Sequence, residues 1–418
     1  MDSFQYLEAQ TKTPSSVPLK VMLRRAERRR VITALALITP LFLFLLLTFV
    51  GPILSLLYRS VDNPEILQVL PRTSEAIRAW DGKQLPDETV YAALAADLRE
   101  ARKLRTLSIA AKRLNYDIVG FRSLMLRSAR KLPKTDPVSY RSMLIEIDRR
   151  WGEKKYWAAI KRAASPHTSF YLLSAADLDF NEEGKIVRTP PDEALYIKIY
   201  LRTFWIAFVI MVVCVVLGYP LAYLLAHVPP RIGNLLMILV LLPFWTSLLV
   251  RTAAWVILLQ REGIVNVLLT ATGVTSEPIQ LVFNRTGVYI AMVHILLPYM
   301  VLPIFSVMKG ISPDYMRAAA SLGAKPMVAF LRVYLPQTMP GIGAGCLLVY
   351  ILAIGYYITP ALVGGLKDQM ISYFIAYFIN TTINWGMAAA LSAVLLALTL
   401  ILYAAYNRLI GIERMKLG

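Results

Sequence analysis

The stretch Ser312–Gly341, SPDYMRAAASLGAKPMVAFLRVYLPQTMPG, decides how the rest of the chain is read. Ser312 can cap a helix, Pro313 suits a first helical position, and Asp314 suits the positive end of the helix dipole. The first helix is expected to end near Gly323. Pro326 opens a second, on which Met327, Phe330, Leu331 and Tyr334 fall at i, i+3, i+4 and i+7 before Pro336 stops it. A polar, broken helix therefore lies between two strongly apolar segments.

The apolar segments fix the class. The chain has 418 residues, 57% of them hydrophobic, with a mean hydropathy of +0.53. Several runs reach the roughly 20 residues a helix needs to cross a bilayer, so this is an integral membrane protein. The net charge of +18 is unevenly spread. Arg59 to Tyr196 holds 19 of the 27 acidic residues, leaving 21 basic against 8 acidic residues elsewhere. That pattern is the Lys/Arg bias of cytoplasmic loops and not a nucleic-acid surface. Cys214 and Cys346 both sit in apolar runs, which excludes a disulfide framework or a cysteine metal site.

Residues 1–30 are polar and end in LRRAERRR, too basic to be part of a span, and are expected in the cytoplasm. Residues 31–58 follow as a first transmembrane helix, too long for the apolar region of a cleaved signal peptide. Residues 59–196 form a long polar insert, expected outside the membrane and mainly helical. Val90, Leu94, Leu98 and Ala101 make one amphipathic stripe, and Tyr140, Met143, Leu144, Ile147 and Trp151 another. Without cysteines this insert must be held by a modest core of its own and by the outer ends of the spans. Residues 197–418 read as a five-helix core with spans near 199–226, 235–259, 288–307, 341–359 and 388–409. Six spans counted from an inside N-terminus place residues 312–341 and the C-terminus inside. Arg231, Lys309, Arg317, Lys325, Arg332, Arg408, Arg414 and Lys416 then fall inside as well. The short apolar segments Ile264–Leu269 and Ile371–Ile379 in the outer connections either re-enter the membrane at a pore mouth or lie as amphipathic helices on the rim.

The chemistry is that of a conduit. No GxxxxGK[ST] occurs, so the chain cannot cradle a nucleotide, and no catalytic site, cofactor or metal centre stands out. His167, His227 and His294 are scattered over different compartments or depths. In DLDFNEEG the acids alternate as in a calcium loop, but Glu182 replaces the required glycine and Arg188 the final glutamate. A solvated turn between short strands fits better.

Ala318-Ala319, Leu322-Gly323-Ala324, Leu335-Pro336 and Pro340-Gly341 resemble the cytoplasmic coupling loop of ABC importer permeases. In that family the loop docks on the ATP-hydrolysing subunit, which implies coupling roles for Arg317, Ala318, Ala319, Leu322, Gly323, Ala324, Phe330 and Pro336. Arg317 stands where the family usually carries glutamate, which reverses the charge expected at the contact. Pro243-Phe244-Trp245-Thr246-Ser247-Leu248-Leu249-Val250-Arg251, then Gly263-Ile264-Val265-Asn266, and Leu217-Gly218-Tyr219-Pro220-Leu221-Ala222-Tyr223 resemble spermidine/putrescine-type permease subunits. The resemblance runs from about Tyr200 to the C-terminus. It implies a bacterial inner-membrane importer half with ABC ATPase subunits, a second and different permease chain, and an extracytoplasmic solute-binding protein, the transported solute being a polyamine. Trp245, Arg251, Trp255, Tyr356, Tyr357 and Tyr373 are the pathway candidates. The rings suit a cation, whereas Arg251 would repel a polycation, and no span contains Asp or Glu. An opine or amino-acid-like solute stays open on that account. An ion-gradient-driven transporter is the reading from a different class, and it would need acidic or polar coupling groups within the spans.

Overall fold

The structure, a computed structural model, describes residues 19–133, 135–181 and 184–410. It divides into two units, residues 1–56 and residues 57–418. Six helical segments among the described residues are long and apolar enough to cross a membrane. These are Glu27–Tyr58, Tyr196–His227, Leu248–Ala271, Arg285–Gly310, Pro326–Gly355 and Trp385–Arg408, spans 1 to 6 below. Among the described residues the protein is an all-α membrane protein apart from one small hairpin. The expected Arg414 and Lys416, and Glu182 and Glu183 of the acidic turn, lie outside the described residues.

Span 1 exposes its apolar side chains along almost its whole length, which suits lipid better than water. It passes through a π-helical turn at Leu46–Val50 that directly precedes Gly51 and Pro52. Proline cannot donate to the carbonyl four residues back, and a π turn re-pairs the neighbouring groups without ending the helix.

Among the described residues the insert folds as eight α-helices of five to sixteen residues, including Glu88–Lys103 and Leu107–Asp117. Val90, Leu94, Leu98 and Ala101 are buried as the stripe predicts. The second stripe contributes Leu144 and Trp151, fully buried, with Tyr140, Met143 and Ile147 packed at the edge. The core exceeds the modest one expected. Tyr91, Phe121, Trp151, Tyr156 and Trp157 interlock with ring centroids 4.5–6.1 Å apart, a spacing favourable to aromatic pairs. The two indoles and Tyr91 are hydrogen-bonded: Trp151 Nε1 donates to Ser128 Oγ at 2.8 Å, and the Trp151 carbonyl accepts from Tyr91 OH at 2.7 Å and Trp157 Nε1 at 2.9 Å.

Leu178–Phe180 pairs with Ile186–Arg188 as an antiparallel hairpin. Asp177, just before it, is not free for a cation. Its Oδ1 accepts from the Leu195 and Tyr196 amides at 3.1 and 2.9 Å and its Oδ2 from Ile197 at 2.8 Å. A carboxylate thus caps the amide-bearing start of span 2.

Spans 2, 4 and 5 build the membrane core. Ile206, Ile210 and Cys214 meet Met292, Leu296, Met300 and Ile304, with Val349 and Ala353 closing the third side. Small residues set the separation. A Cβ on Gly345 would lie 2.7 Å from Met300 Sδ, and one on Gly341 2.9 Å from the Pro303 carbonyl oxygen. Close backbone approach of this kind holds helices together where the surrounding lipid is as apolar as the side chains.

Two expected boundaries are corrected. The run 235–259 is not one helix: Pro230–Leu241 ends in a 3-10 turn at Leu242–Trp245, and Thr246 and Ser247 are extended. A new helix starts at Leu248. Pro243 lacks the amide needed to continue, and Thr246 Oγ1 bonds the Pro243 carbonyl at 3.0 Å. Residues 248–259 are followed, after a break, by Ile264–Ala271, so one of the two short outer segments belongs to span 3, while Ile371–Asn380 is a separate apolar helix. Pro336, expected as a stop, is not one. Pro326–Ala329, a π turn at Phe330–Tyr334 and Leu335–Gly355 form one continuous rod. Here too the π turn ends with one residue between it and the proline, and Pro336 occupies the first turn of the segment that follows.

Candidate functional site

The polar element between spans 4 and 5 begins one residue later than the sequence predicts, with Pro313 at the cap and Asp314 first in the helix. The Asp314 amide donates to Ser312 Oγ at 3.2 Å, and the helix runs Asp314–Ser321. It ends at Gly323, whose φ of +81° is the left-handed geometry that suits glycine. The Gly323 and Ala324 amides close the end on the Ala320 and Ala319 carbonyls at 2.9 and 3.1 Å. Leu322 is 88% exposed at the tip and Met327 68% exposed just beyond it. Ala318 is exposed and Ala319 buried.

The charge reversal at Arg317 has an internal answer. Its Nη2 lies 2.8 Å from Asp314 Oδ1, one helical turn away, so the pair is nearly neutral as seen from a distance. Both side chains are about three-quarters exposed, and the pair adds little stability.

The apolar stripe on the second helix splits. Phe330 and Tyr334 stack with centroids 5.7 Å apart and turn toward span 2, while Met327 and Leu331 stay exposed. The π turn changes the period within the stripe, which an even α-helical spacing cannot anticipate. From span 2, Tyr223 meets Phe330 edge-on at 5.8 Å and Tyr334 at 5.6 Å, and stacks on His227 at 4.1 Å. Tyr219 completes the cluster with an edge contact to Phe330 and a hydroxyl 3.3 Å from Thr338 Oγ1. Five rings thus fasten the root of the polar element to the end of span 2. Sequence reasoning noted Tyr219 and Tyr223 only within a resembling motif and assigned no role to His227; their spacing of four residues along one helical face was the available signal.

The pathway candidates are not all brought together. Trp255 Nε1 donates to His294 Nδ1 at 3.1 Å, which joins spans 3 and 4. Arg251, one turn earlier on span 3, has Nε and Nη1 buried with no hydrogen-bond partner among the described residues. Tyr356 and Tyr357 line a cavity of about 360 Å3 with Leu248, Ile351 and Leu352. Trp245 is 72% exposed on its 3-10 turn, and Tyr373 stands apart, stacked on Tyr377 at 6.4 Å. The Gly263…Asn266 part of the motif is a structural pin. Asn266 Nδ2 donates to the Gln260 and Ile279 carbonyls at 2.8 and 2.9 Å, its Oδ1 accepts the Ile279 amide at 3.0 Å, and a Cβ on Gly263 would meet the Leu258 carbonyl oxygen at 2.4 Å.

The described residues thus combine an all-α bundle of candidate membrane spans with a two-helix polar element rooted by rings. Residues 218–410 match the family described as binding-protein-dependent transport system inner membrane component. The chain is 38% identical over 183 residues to the spermidine/putrescine transport system permease protein PotB of Salmonella typhimurium (strain SL1344). It is 37% identical over 183 residues to PotB of Escherichia coli (strain K12). These matches cover 44% of this chain and 64% and 66% of the relatives, so the chain matches just under two thirds of their length. A crystal structure of a bacterial alginate ABC transporter, in complex with alginate pentasaccharide-bound periplasmic protein, aligns at 16% identity and a TM-score of 0.45 over 54% of this chain and 81% of that one.

Proposed function

We propose that this chain is a transmembrane permease subunit of an ATP-driven ABC importer, passing a polyamine such as spermidine or putrescine delivered by an external binding protein. The identity to spermidine/putrescine permeases over 183 residues is the observation that carries this reading. It sits in the inner membrane of a bacterium, with both termini and the Asp314–Tyr334 element in the cytoplasm and residues 59–196 outside. ATPase subunits bind that element through Leu322 and Met327, which are too apolar and too exposed to face water without a partner. Ala318, Ala319 and Gly323 keep the tip narrow enough to enter a groove. A second permease of different sequence completes the conduit.

The rooted rings give the mechanism. When ATP closes the ATPases, the tip is displaced, and the rod Pro326–Gly355 together with the end of span 2 transmits that displacement into the membrane core. Access then alternates between the two sides of the bilayer. This chain holds no nucleotide; hydrolysis is the partner's.

A second substrate reading rests on Arg251. A guanidinium with two unpaired N–H groups at membrane depth suits a carboxylate and disfavours a polycation, so an opine or amino-acid-like solute is its natural counterpart. Purifying the tagged chain tests the first reading: a P-loop ATPase and a second permease should accompany it, and Leu322→Asp with Met327→Asp should release the ATPase. Recovery of the chain without either partner would refute it. Uptake of radiolabelled spermidine that is outcompeted by an opine would decide between the solutes.

A further inference from the structure

A hollow lies where the insert meets the start of span 6. It has a volume of about 620 Å3 and is walled by the segment 59–65, the Leu107–Asp117 helix, Arg122, Tyr171 and the turn 382–386. Its walls are fixed to one another. Lys112 Nζ donates to the Thr382 carbonyl at 2.6 Å. The Arg59 guanidinium lies 5.9 Å from the Trp385 ring centroid. Gly386 sits so close to Tyr171 that a Cβ there would fall 2.4 Å from the ring.

Two polar atoms in this hollow lack partners. Glu65 Oε2 and the Tyr116 hydroxyl are both buried, and neither makes a hydrogen bond among the described residues. They sense each other: burial first, and then the Glu65 carboxylate, push the Tyr116 hydroxyl up to about 12. A buried carboxylate oxygen without a donor beside a hydroxyl without a partner is an incomplete site, and the group that completes it is a cation with several N–H donors.

The remaining charges restrict that cation. Asp62 and Glu65 are the acids of the lining, and Arg59, Lys112, Arg113 and Arg122 the bases. Arg113 is already neutralised by Asp117 at 3.1 Å, with both side chains buried. Lys112 is held by backbone carbonyls at 2.6 and 3.4 Å. Three uncompensated bases against two acids repel a polycation, and a plain anion would have to sit beside Glu65. A molecule with both signs satisfies each wall.

We propose that this cavity binds a small zwitterion of the α-amino-acid class, its ammonium group on Glu65 and Tyr116 and its carboxylate toward Arg59 and Arg122. The site is separate from the conduit and independent of which solute the conduit passes. It spans the joint between insert and span 6, so occupancy ties the two together.

The test is calorimetric titration of the full chain in lipid nanodiscs with the common L-amino acids in turn. At least one should bind. Its N-acetyl derivative, succinate and spermidine, which each lack one of the two charged groups, should not compete. Glu65→Gln should weaken binding about tenfold or more, as should the Arg59→Gln, Arg122→Gln pair. Tyr116→Phe, which keeps the ring, should weaken it less and serves as the second variant if Glu65→Gln fails to fold. Lys325→Gln, on the distant polar element, should leave binding unchanged. Absence of heat with every amino acid, or competition by spermidine or by succinate alone, overturns the assignment.

Discussion

The insert and the membrane core solve the same packing problem by opposite means. The insert fills its centre with the largest side chains available, Trp151, Trp157, Tyr91 and Phe121, and finds a partner for each indole N–H. The core of spans 2, 4 and 5 does the reverse, removing side chains at Gly218, Gly341 and Gly345 so that Met300 and the Pro303 backbone can approach. In water, burying a large ring is itself the driving force. In lipid that force is absent between helices, and contact area must come from closeness. Asp177 joins the two regimes, since it belongs to the hairpin of the insert yet caps span 2.

If that contrast is right, Trp151→Ala is the most damaging single truncation. It should cost about 3–5 kcal/mol and expose the insert to proteolysis while residues 196–410 stay protected in the membrane; equal loss of protection in both regions would break the distinction. Gly345→Val should do the opposite, at about 1–3 kcal/mol from overpacking against Met300. Hydrogen exchange would then rise in spans 4 and 5 and not in the insert. Asp177→Ala should remove about 1–2 kcal/mol and raise exchange at both ends of the joint, in the hairpin and in the first turn of span 2.

The finest test uses pH. The Arg150 side chain, bonding Asp148 at 2.9 Å, holds that carboxyl below the usual carboxylate range. A depressed folded-state value means that the stabilisation is complete above the ordinary Asp value of about 4 and fades as pH falls through the folded-state value. Asp148→Asn should therefore remove about 1 kcal/mol near neutrality and flatten the acid limb of insert unfolding. An unchanged limb would show that Asp148 has no part in it.

Much of this architecture was legible in the residues. Stripes such as Val90, Leu94, Leu98 and Ala101 survive because an isolated amphipathic helix in water obeys its period. The break at Pro243 and the continuity through Pro336 were not legible, and for related reasons. A proline predicts that a hydrogen bond is missing but not what replaces it. At Pro243 the chain answers with an extended Thr246 and Ser247, and at Pro336 with a π turn that keeps the helix running. The site divides in the same way. Gly323 and Leu322 sit where local rules put them. The partnership of Phe330 and Tyr334 with Tyr223 and His227 depends on two segments a hundred residues apart, which no local period encodes.

The π turn at Phe330–Tyr334 amounts to one residue more than an α-helix of the same length would need. Deleting a single residue there would restore ordinary winding and swing Met327 and the tip about 100° around the axis, away from whatever they meet. The direction in which the tip points is therefore set by a phase offset in the backbone. It is recorded in chain length as much as in side-chain identity.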